Sequence, residues 1–376
     1  MRVRTLFPAI AGLVLCCLAA VPVAAGASQA KVRTVVSGLD NPRDLAFGPG
    51  RRLYVAEAGH GGRRCINGDE TGTVCFGFTS RISGINVRRG TVRTIVSGLV
   101  SNASPDGSFA TGIDGISFGS GRTVYGIITG SPDAVPAGAF PAAFERRVKA
   151  QSGLLLSARR GAWHPVANVG HRDFVWAANH RNLVPGQFPD ANPYGVLALP
   201  GGGQYVVDAA SNTLDRVDAR GRVHVLEFIP NPPVSDAVPT CVDRGPDGAL
   251  YIGELTGGGN GHGAARVWRY APRSGKLSLW ATGLTAVNGC GFGRDGRFYA
   301  TEFSVQGLDT GGPGTGALVR VAPHSSSPAT IVGGLNFPGG FAAGPGGALY
   351  LSDWSVAPAR NPGGPTGSVL QIIPRS

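Results

Sequence analysis

Six residues of very different chemistry occupy one recurring position in this chain: Arg43, Asp114, Tyr194, Thr240, Asn288 and Gly339. A position used only for packing has no need of a guanidinium, a carboxylate, a phenol, a hydroxyl and an amide in turn. Together they offer oxygen donors, a fixed cation and hydroxyls, the equipment of a ligand-binding site. Asp114 and Asn288 carry the oxygens that hard cations such as Ca²⁺ prefer, so they form the candidate metal pair. If the chemistry is instead proton removal beside a bound quinone, the candidate bases are His164, His171 and His180.

Other suggestive patterns fail on context. Gly115-Ile116-Ser117-Phe118-Gly119 fits the serine-hydrolase elbow, which needs a strand, a turn and a helix; here it falls inside a strand pattern. Residues 291–296 fit the dinucleotide-binding glycine pattern, but no helix follows to hold a pyrophosphate. The sequon at Asn102 carries no chemistry of its own. Glu57, Asp208, Glu254, Glu302 and Asp353 recur in register, with Ile128 in the sixth copy. Acids at such a point are expected to be structural, accepting hydrogen bonds from the N–H groups of the following turn.

The element that positions these residues is a repeated cassette. Residues 239–254 read as an apolar strand, a Gly-Pro-Asp-Gly turn, and a second strand ending in an acid. Residues 42–57 and 338–353 repeat it, and weaker copies begin near Ile113, Pro193 and Val287. Aligned on the turn, the copies place Tyr54, Tyr125, Tyr205, Tyr251, Tyr299 and Tyr350 in one column, six of the chain's eight tyrosines. A third and a fourth strand pattern follow each cassette. Four strands recurring every roughly 40–50 residues point to a propeller or a solenoid. Residues 32–39 copy the fourth-strand segment 92–99, and the last unit lacks its own fourth strand. A ring has a use for that exchange and an open solenoid has none. The expected fold is therefore all-β: a six-bladed propeller over residues 31–376, closed by the leading strand, which completes the last blade. The long insertions, at 59–79, 131–151 and 172–192, should project from one rim, where binding loops usually gather. Residues 142–149 and 174–179 within them read as two short helices.

Composition agrees. Sixty glycines and 28 prolines sit at fixed offsets between apolar strands, which excludes disorder. Residues 1–30 read as a cleaved signal peptide: Arg2 and Arg4, an apolar run, then small residues at 24–27. No later stretch is long and apolar enough for a span. A secreted chain with four remaining cysteines suggests disulfides. Cys65 and Cys75 flank one polar loop. Cys241 and Cys290 sit one position apart in neighbouring cassettes, so their side chains leave opposite faces and can meet across a blade interface. The alternative for that pair is two buried free thiols. No cysteine or histidine spacing suits zinc. The net charge of +11 comes almost wholly from arginine. Without basic runs interleaved with aromatics, and with export expected, nucleic acid is excluded as a partner.

Several segments together resemble the ScyD/ScyE family of exported propellers: residues 36–57, the Cys65 to Gly77 loop, Pro105-Asp106-Gly107-Ser108, Asp190-Ala191-Asn192-Pro193-Tyr194-Gly195, residues 208–217 and residues 238–257. The resemblance spans nearly the whole chain after residue 30 and implies a six-bladed fold like that of NHL-repeat and sugar-lactonase propellers. It brings no catalytic residues with it. His171, His180 and Arg181 depart from the acidic composition usual for that stretch. The steps at Asp114 and Asn288 are separately similar to ligand-bearing steps of metal-dependent sugar-lactone hydrolases, although the tunnel-mouth glutamate of those enzymes is not found. The expected function is a secreted monomer binding a small molecule or an envelope component, through Arg43, Asp114, Tyr194, Thr240, Asn288 and the loop holding Asp190 and Asn192. The alternative is a metal-dependent lactonase-like hydrolase or a quinone-dependent sugar dehydrogenase.

Overall fold

The computed structural model describes residues 30–68, 72–159, 161–183, 189–359 and 364–374. The segment read as a signal peptide thus lies almost wholly outside the described residues. Six antiparallel sheets form a six-bladed propeller. Blade 1 runs from the innermost strand outward as Pro42–Phe47, Leu53–Glu57, Gly72–Asn86 and Thr91–Ala103. Blade 2 is Ile113–Phe118, Val124–Ile128, Leu154–Arg159 and Ala162–Asn168. Blade 3 is Pro193–Ala198, Gln204–Asp208, Thr213–Val217 and Val223–Phe228. Blade 4 is Pro239–Arg244, Leu250–Glu254, Ala265–Ala271 and Lys276–Leu284. Blade 5 is Val287–Phe292, Phe298–Glu302, Gly316–Val321 and Ala329–Leu335. Blade 6 takes Phe341–Ala343, Leu349–Asp353 and Gly367–Ile373 from the end of the chain, and Lys31–Leu39 pairs antiparallel with Gly367–Ile373 as its fourth strand.

The cassette tyrosine is the second residue of the second strand in every blade. In blades 1, 4, 5 and 6 its partner is the glycine that opens the preceding turn. A Cβ on Gly48 or Gly293 would lie 2.7 Å from the ring of Tyr54 or Tyr299, and one on Gly245 or Gly344 would meet Tyr251 or Tyr350. Only a residue without a side chain lets the ring fold over the turn, which is why glycine and tyrosine recur together. The rings then enter the cores between blades. Between blades 4 and 5, for example, Tyr251, Trp280 and Phe298 pack with Val319 and Val321. Each large side chain buried this way contributes about 1.5–3 kcal/mol.

Glycine also sets the width of the ring. At the third residue of the innermost strands, a Cβ on Gly195 would approach the Thr240 carbonyl at 2.7 Å, and one on Gly289 the Gly339 carbonyl at 2.6 Å. Neighbouring inner strands therefore touch backbone to backbone and leave a narrow axial tunnel. Cys241 takes the same position in blade 4 and is disulfide-bonded to Cys290 of blade 5. Cys65 and Cys75 form the second disulfide. Their segment is not a loop: Arg64–Gly68 pairs with an extended third strand of 15 residues, so blade 1 carries an additional hairpin.

Because strands alternate in direction, the starts of the innermost strands, the connections from second to third strand and those between blades share one face. The hairpin of blade 1 and both helices lie in such connections. The first helix, Ala142–Gln151 (α1), packs Phe144 on Phe78 of that hairpin at 5.2 Å. The second, Val169–Asn179 (α2), starts earlier than the sequence suggested, because Asn168 caps it by accepting the His171 amide. Among the described residues no helix is long and apolar enough to cross a membrane.

Candidate functional site

In blades 1 to 5 the innermost strand begins at the insertion-bearing face with the column residue (Arg43, Asp114, Tyr194, Thr240 or Asn288) in second place; in blade 6 Gly339 precedes the strand, which starts at Phe341. Asp114, Tyr194, Thr240 and Asn288 line one cavity there, joined by Asp44. Arg43 reaches the same group: its Nη1 donates to Tyr194 Oη at 3.4 Å, and its Nε stands 3.7 Å from Asp114 Oδ1. Its Nη2 donates to the Ala110 carbonyl. Tyr194 Oη donates in turn to Asn288 Oδ1 at 3.0 Å, and Asn288 Nδ2 to the Pro338 carbonyl at 3.2 Å. Thr240 Oγ1 donates to the Val287 carbonyl at 2.7 Å, so it ties blade 4 to blade 5. Gly339 has backbone groups alone: its carbonyl accepts from Thr301 Oγ1 and its amide donates to the Ser352 carbonyl at 3.0 Å.

The chain of hydrogen bonds leaves gaps. Both carboxylate oxygens of Asp114 and the Arg43 Nε are buried and form no hydrogen bond within 3.5 Å. Unpartnered buried polar atoms are costly, about 1–3 kcal/mol each. Burial pushes the Asp114 carboxyl up to about 6, with Arg43 pulling the other way. Burial pushes Asp44 up to about 7, although the Ile116 and Leu45 amides both donate to it. Tyr194 is raised to about 12, again by burial. Burial opposes the Arg43 charge, but Tyr194 and Asp114 hold its pKa above the ordinary value. The cavity measures about 40 Å³. A water needs roughly 10–15 Å³ by that measure, so the space holds a few waters or one small polar group, not a sugar.

The arrangement does not fit a divalent cation on Asp114 and Asn288. The Arg43 guanidinium stands beside Asp114 where such an ion would sit, and the Asn288 amide oxygen already accepts from Tyr194. No group of three His, Cys, Asp or Glu side chains among the described residues is arranged to hold a metal.

The remaining sequence-derived residues go elsewhere. Asp190 accepts the Ala191 amide, and the Asn192 amide donates to Asp208 Oδ1; neither lines the cavity. His171 pairs with Asp133 at 2.8 Å, His180 stacks on Trp176 at 4.2 Å, and His164 stands on the outer strand of blade 2. None of the three adjoins the tunnel cavity. Ser117 of the elbow-like motif accepts the Ala198 amide at 3.0 Å and bridges blades 2 and 3.

The cassette acids are structural, with one correction. Glu57, Asp208, Glu302 and Asp353 accept the amides of Asp40, Asn192, Thr285 and Asn336, which precede the first strand rather than follow the second. The hairpin places the end of strand two beside the start of strand one, so the nearest unpaired amides are upstream. Only Asp208 also takes amides of its following turn, from Ala210 and Ser211. Glu254 instead receives the buried Arg266 guanidinium at 2.7 Å.

Sequence reasoning missed three features of this face. Asp44 lines the tunnel; the signal was an acid in a column otherwise held by glycine or cysteine. His60 Nδ1 lies 2.6 Å from the buried Asp40 Oδ2. Phe109 is 63% exposed, one residue from the carbonyl that holds Arg43, and its amide donates to Val356 of blade 6. Val356 belongs to an apolar cluster with Ala286, Phe303 and Phe337 in the connections of blades 5 and 6.

No protein-family model matches the chain, and no curated protein matches it in sequence. Solved structures share its fold. A Xanthomonas campestris gluconolactonase superposes with a TM-score of 0.55 at 10% identity, over 92% of this chain and 90% of that one. A luciferin-regenerating enzyme gives 0.52 at 8% identity, over 92% and 95%. An oxidoreductase from Thermus thermophilus, assigned as a glucose dehydrogenase, gives 0.51 at 18% identity, over 92% and 100%. At these identities the likeness is one of fold.

Proposed function

We propose that this propeller is a secreted, metal-independent binding protein of the ScyD/ScyE type that takes one small molecule end-on at the tunnel mouth. The observation that carries the reading is the Asp114 carboxylate, which lines the cavity without a hydrogen bond and wants donors, together with the Arg43 Nε, which stands 3.7 Å behind it and wants an acceptor. A ligand head with a donor and an acceptor side by side, such as a primary amide or a urea, satisfies both. The cavity is the size of such a head and no more. The body of the ligand then rests on the exposed Phe109 ring, which favours a flat apolar group. The two disulfides support an oxidising destination.

The test is calorimetric titration with benzamide, with benzoate and toluene as comparators. Benzamide should bind, and both Asp114→Asn and Phe109→Ser should weaken it. Equal binding of toluene, or no effect of Asp114→Asn, sinks the proposal. Stoichiometric calcium in the purified protein together with lactone hydrolysis establishes the hydrolase instead.

A further inference from the structure

The opposite face carries a second site of different character. A groove of about 720 Å³ lies at the seam of blades 1 and 6, lined by Arg33, Arg51, Arg52 and Arg88 with Tyr350 and Gln371. Its walls are the turns between first and second strands of both blades and the turn between third and fourth strands of blade 1. The volume falls within the roughly 300–1,000 Å³ usual for ligand sites. No carboxylate lines it, and none of the four arginines has an ion pair among the described residues.

Elsewhere on the same face three arginines are neutralised, while Arg122, Arg244, Arg273 and Arg294 have no ion pair among the described residues either. Arg269 pairs with Asp247 at 2.7 Å, Arg297 with Asp295 at 3.5 Å and Arg222 with Asp218 at 2.7 Å. Asp247 and Asp295 are the third residues of their cassette turns. Blades 2 and 3 have glycine at that position, Gly121 and Gly201, and so do blades 1 and 6, at Gly50 and Gly346. Gly50 and Gly346 are left-handed, with φ of 71° and 72°, and the next residue is left-handed too. A side chain is strained there, so these two turns have a backbone that discards the neutralising acid. Arg33 is also held in place by neutral partners only. Its Nε and Nη2 donate to Gln371 Oε1 at 3.1 and 2.8 Å, and Gln371 Nε2 donates to Tyr350 Oη at 2.8 Å. The guanidinium is oriented without losing its charge to a carboxylate.

We infer that the seam of blades 1 and 6 is a binding groove for a multivalent oxyanion, a ligand bearing at least two phosphate, sulfate or carboxylate groups. Guanidinium groups match these anions in two-point geometry, and four facing an acid-free groove of this size suit a short polyanion better than one small ion. The site stands on the opposite face from the tunnel mouth, so its fate is independent of the reading given there.

The test is titration of the intact protein with tripolyphosphate, a sulfated tetrasaccharide and an oligogalacturonate, each at low and high salt. At least one should bind with one-to-one stoichiometry and weaken as salt rises; the strongest identifies whether phosphate, sulfate or carboxylate is the group read. The exposed pair Arg52→Gln and Arg88→Gln should each weaken it about tenfold to a hundredfold, the effect of removing a charge-assisted hydrogen bond. Arg269→Gln removes the same charge from an already paired position and should leave binding unchanged. Binding of none of the probes overturns the inference. So does equal binding by the Arg52/Arg88 double variant with an unchanged circular dichroism spectrum, or equal loss in Arg269→Gln, which would mark attraction to net charge alone.

Discussion

Replacing Asp173 by asparagine should flatten the dependence of stability on pH. The α2 helix drives Asp173 into blade 3, where its carboxyl lies within hydrogen-bonding reach of Asp208 and Asp215. All three are fully buried, and Asp173 has no donor among its neighbours. Three carboxylates cannot share such a space unless one keeps a proton and donates it to another. Burial raises all three, with the neighbouring acids adding to the effect on Asp173 and Asp215; Asp215 is pushed up to about 8. The folded cluster therefore holds a proton that the unfolded chain releases near pH 4. The stabilisation is complete below that value and is lost as pH rises toward 8. One such proton corresponds to about 1.4 kcal/mol of stability per pH unit, or about 4 kcal/mol between pH 5 and pH 8.

The asparagine amide supplies the hydrogen bond without the proton, so the variant should lose that slope. Other raised acids, such as Glu302 at about 7, slope in the same sense in both proteins and cancel in the difference. Urea midpoints measured at several pH values, with m unchanged, read the effect directly. Parallel curves for the two proteins would refute the shared proton. A wild-type stability that rises with pH and collapses with chelator would replace it by a bound cation.

Two further outcomes follow from the packing. The double variant Cys241→Ala with Cys290→Ala frees a loop of separation 49, which should lower stability by about 4 kcal/mol on the loop-entropy account, read as a shift in urea midpoint. Gly245→Ala places a methyl against Tyr251 at a φ that alanine tolerates, so its cost of about 1–3 kcal/mol is one of overpacking; Tyr251→Leu in the same chain should recover part of it, and a neutral Gly245→Ala would show that the ring does not depend on that glycine.

The repeated cassette made the fold legible. Six tyrosines in one column, a glycine six residues before five of them and an acid ending five of the second strands are local requirements of one hairpin, so they recur with it. The tunnel residues were legible for the same reason: Arg43, Asp114, Tyr194, Thr240 and Asn288 share a column, and a column becomes a ring once the blades close. The Cys241–Cys290 disulfide could be read from strand alternation. The hairpin at Arg64–Gly68 could not, since a short polar segment pairs only because Gly72–Asn86 runs on beyond the blade.

What the sequence settled by itself was periodic: blade number, the four strands common to every blade, and the column that opens toward the axis, because these depend on spacing of two along a strand and on turn chemistry. Contacts between unlike segments were settled only in three dimensions. Asp173 meets Asp208 and Asp215 because a helix from one blade connection lands on the next blade. Arg33, Arg51 and Arg88 meet because the first and sixth blades share a seam, with Gln371 of the far end of the chain between them. Such meetings are set by the angle at which rigid sheets pack, and no pattern along the chain encodes that angle.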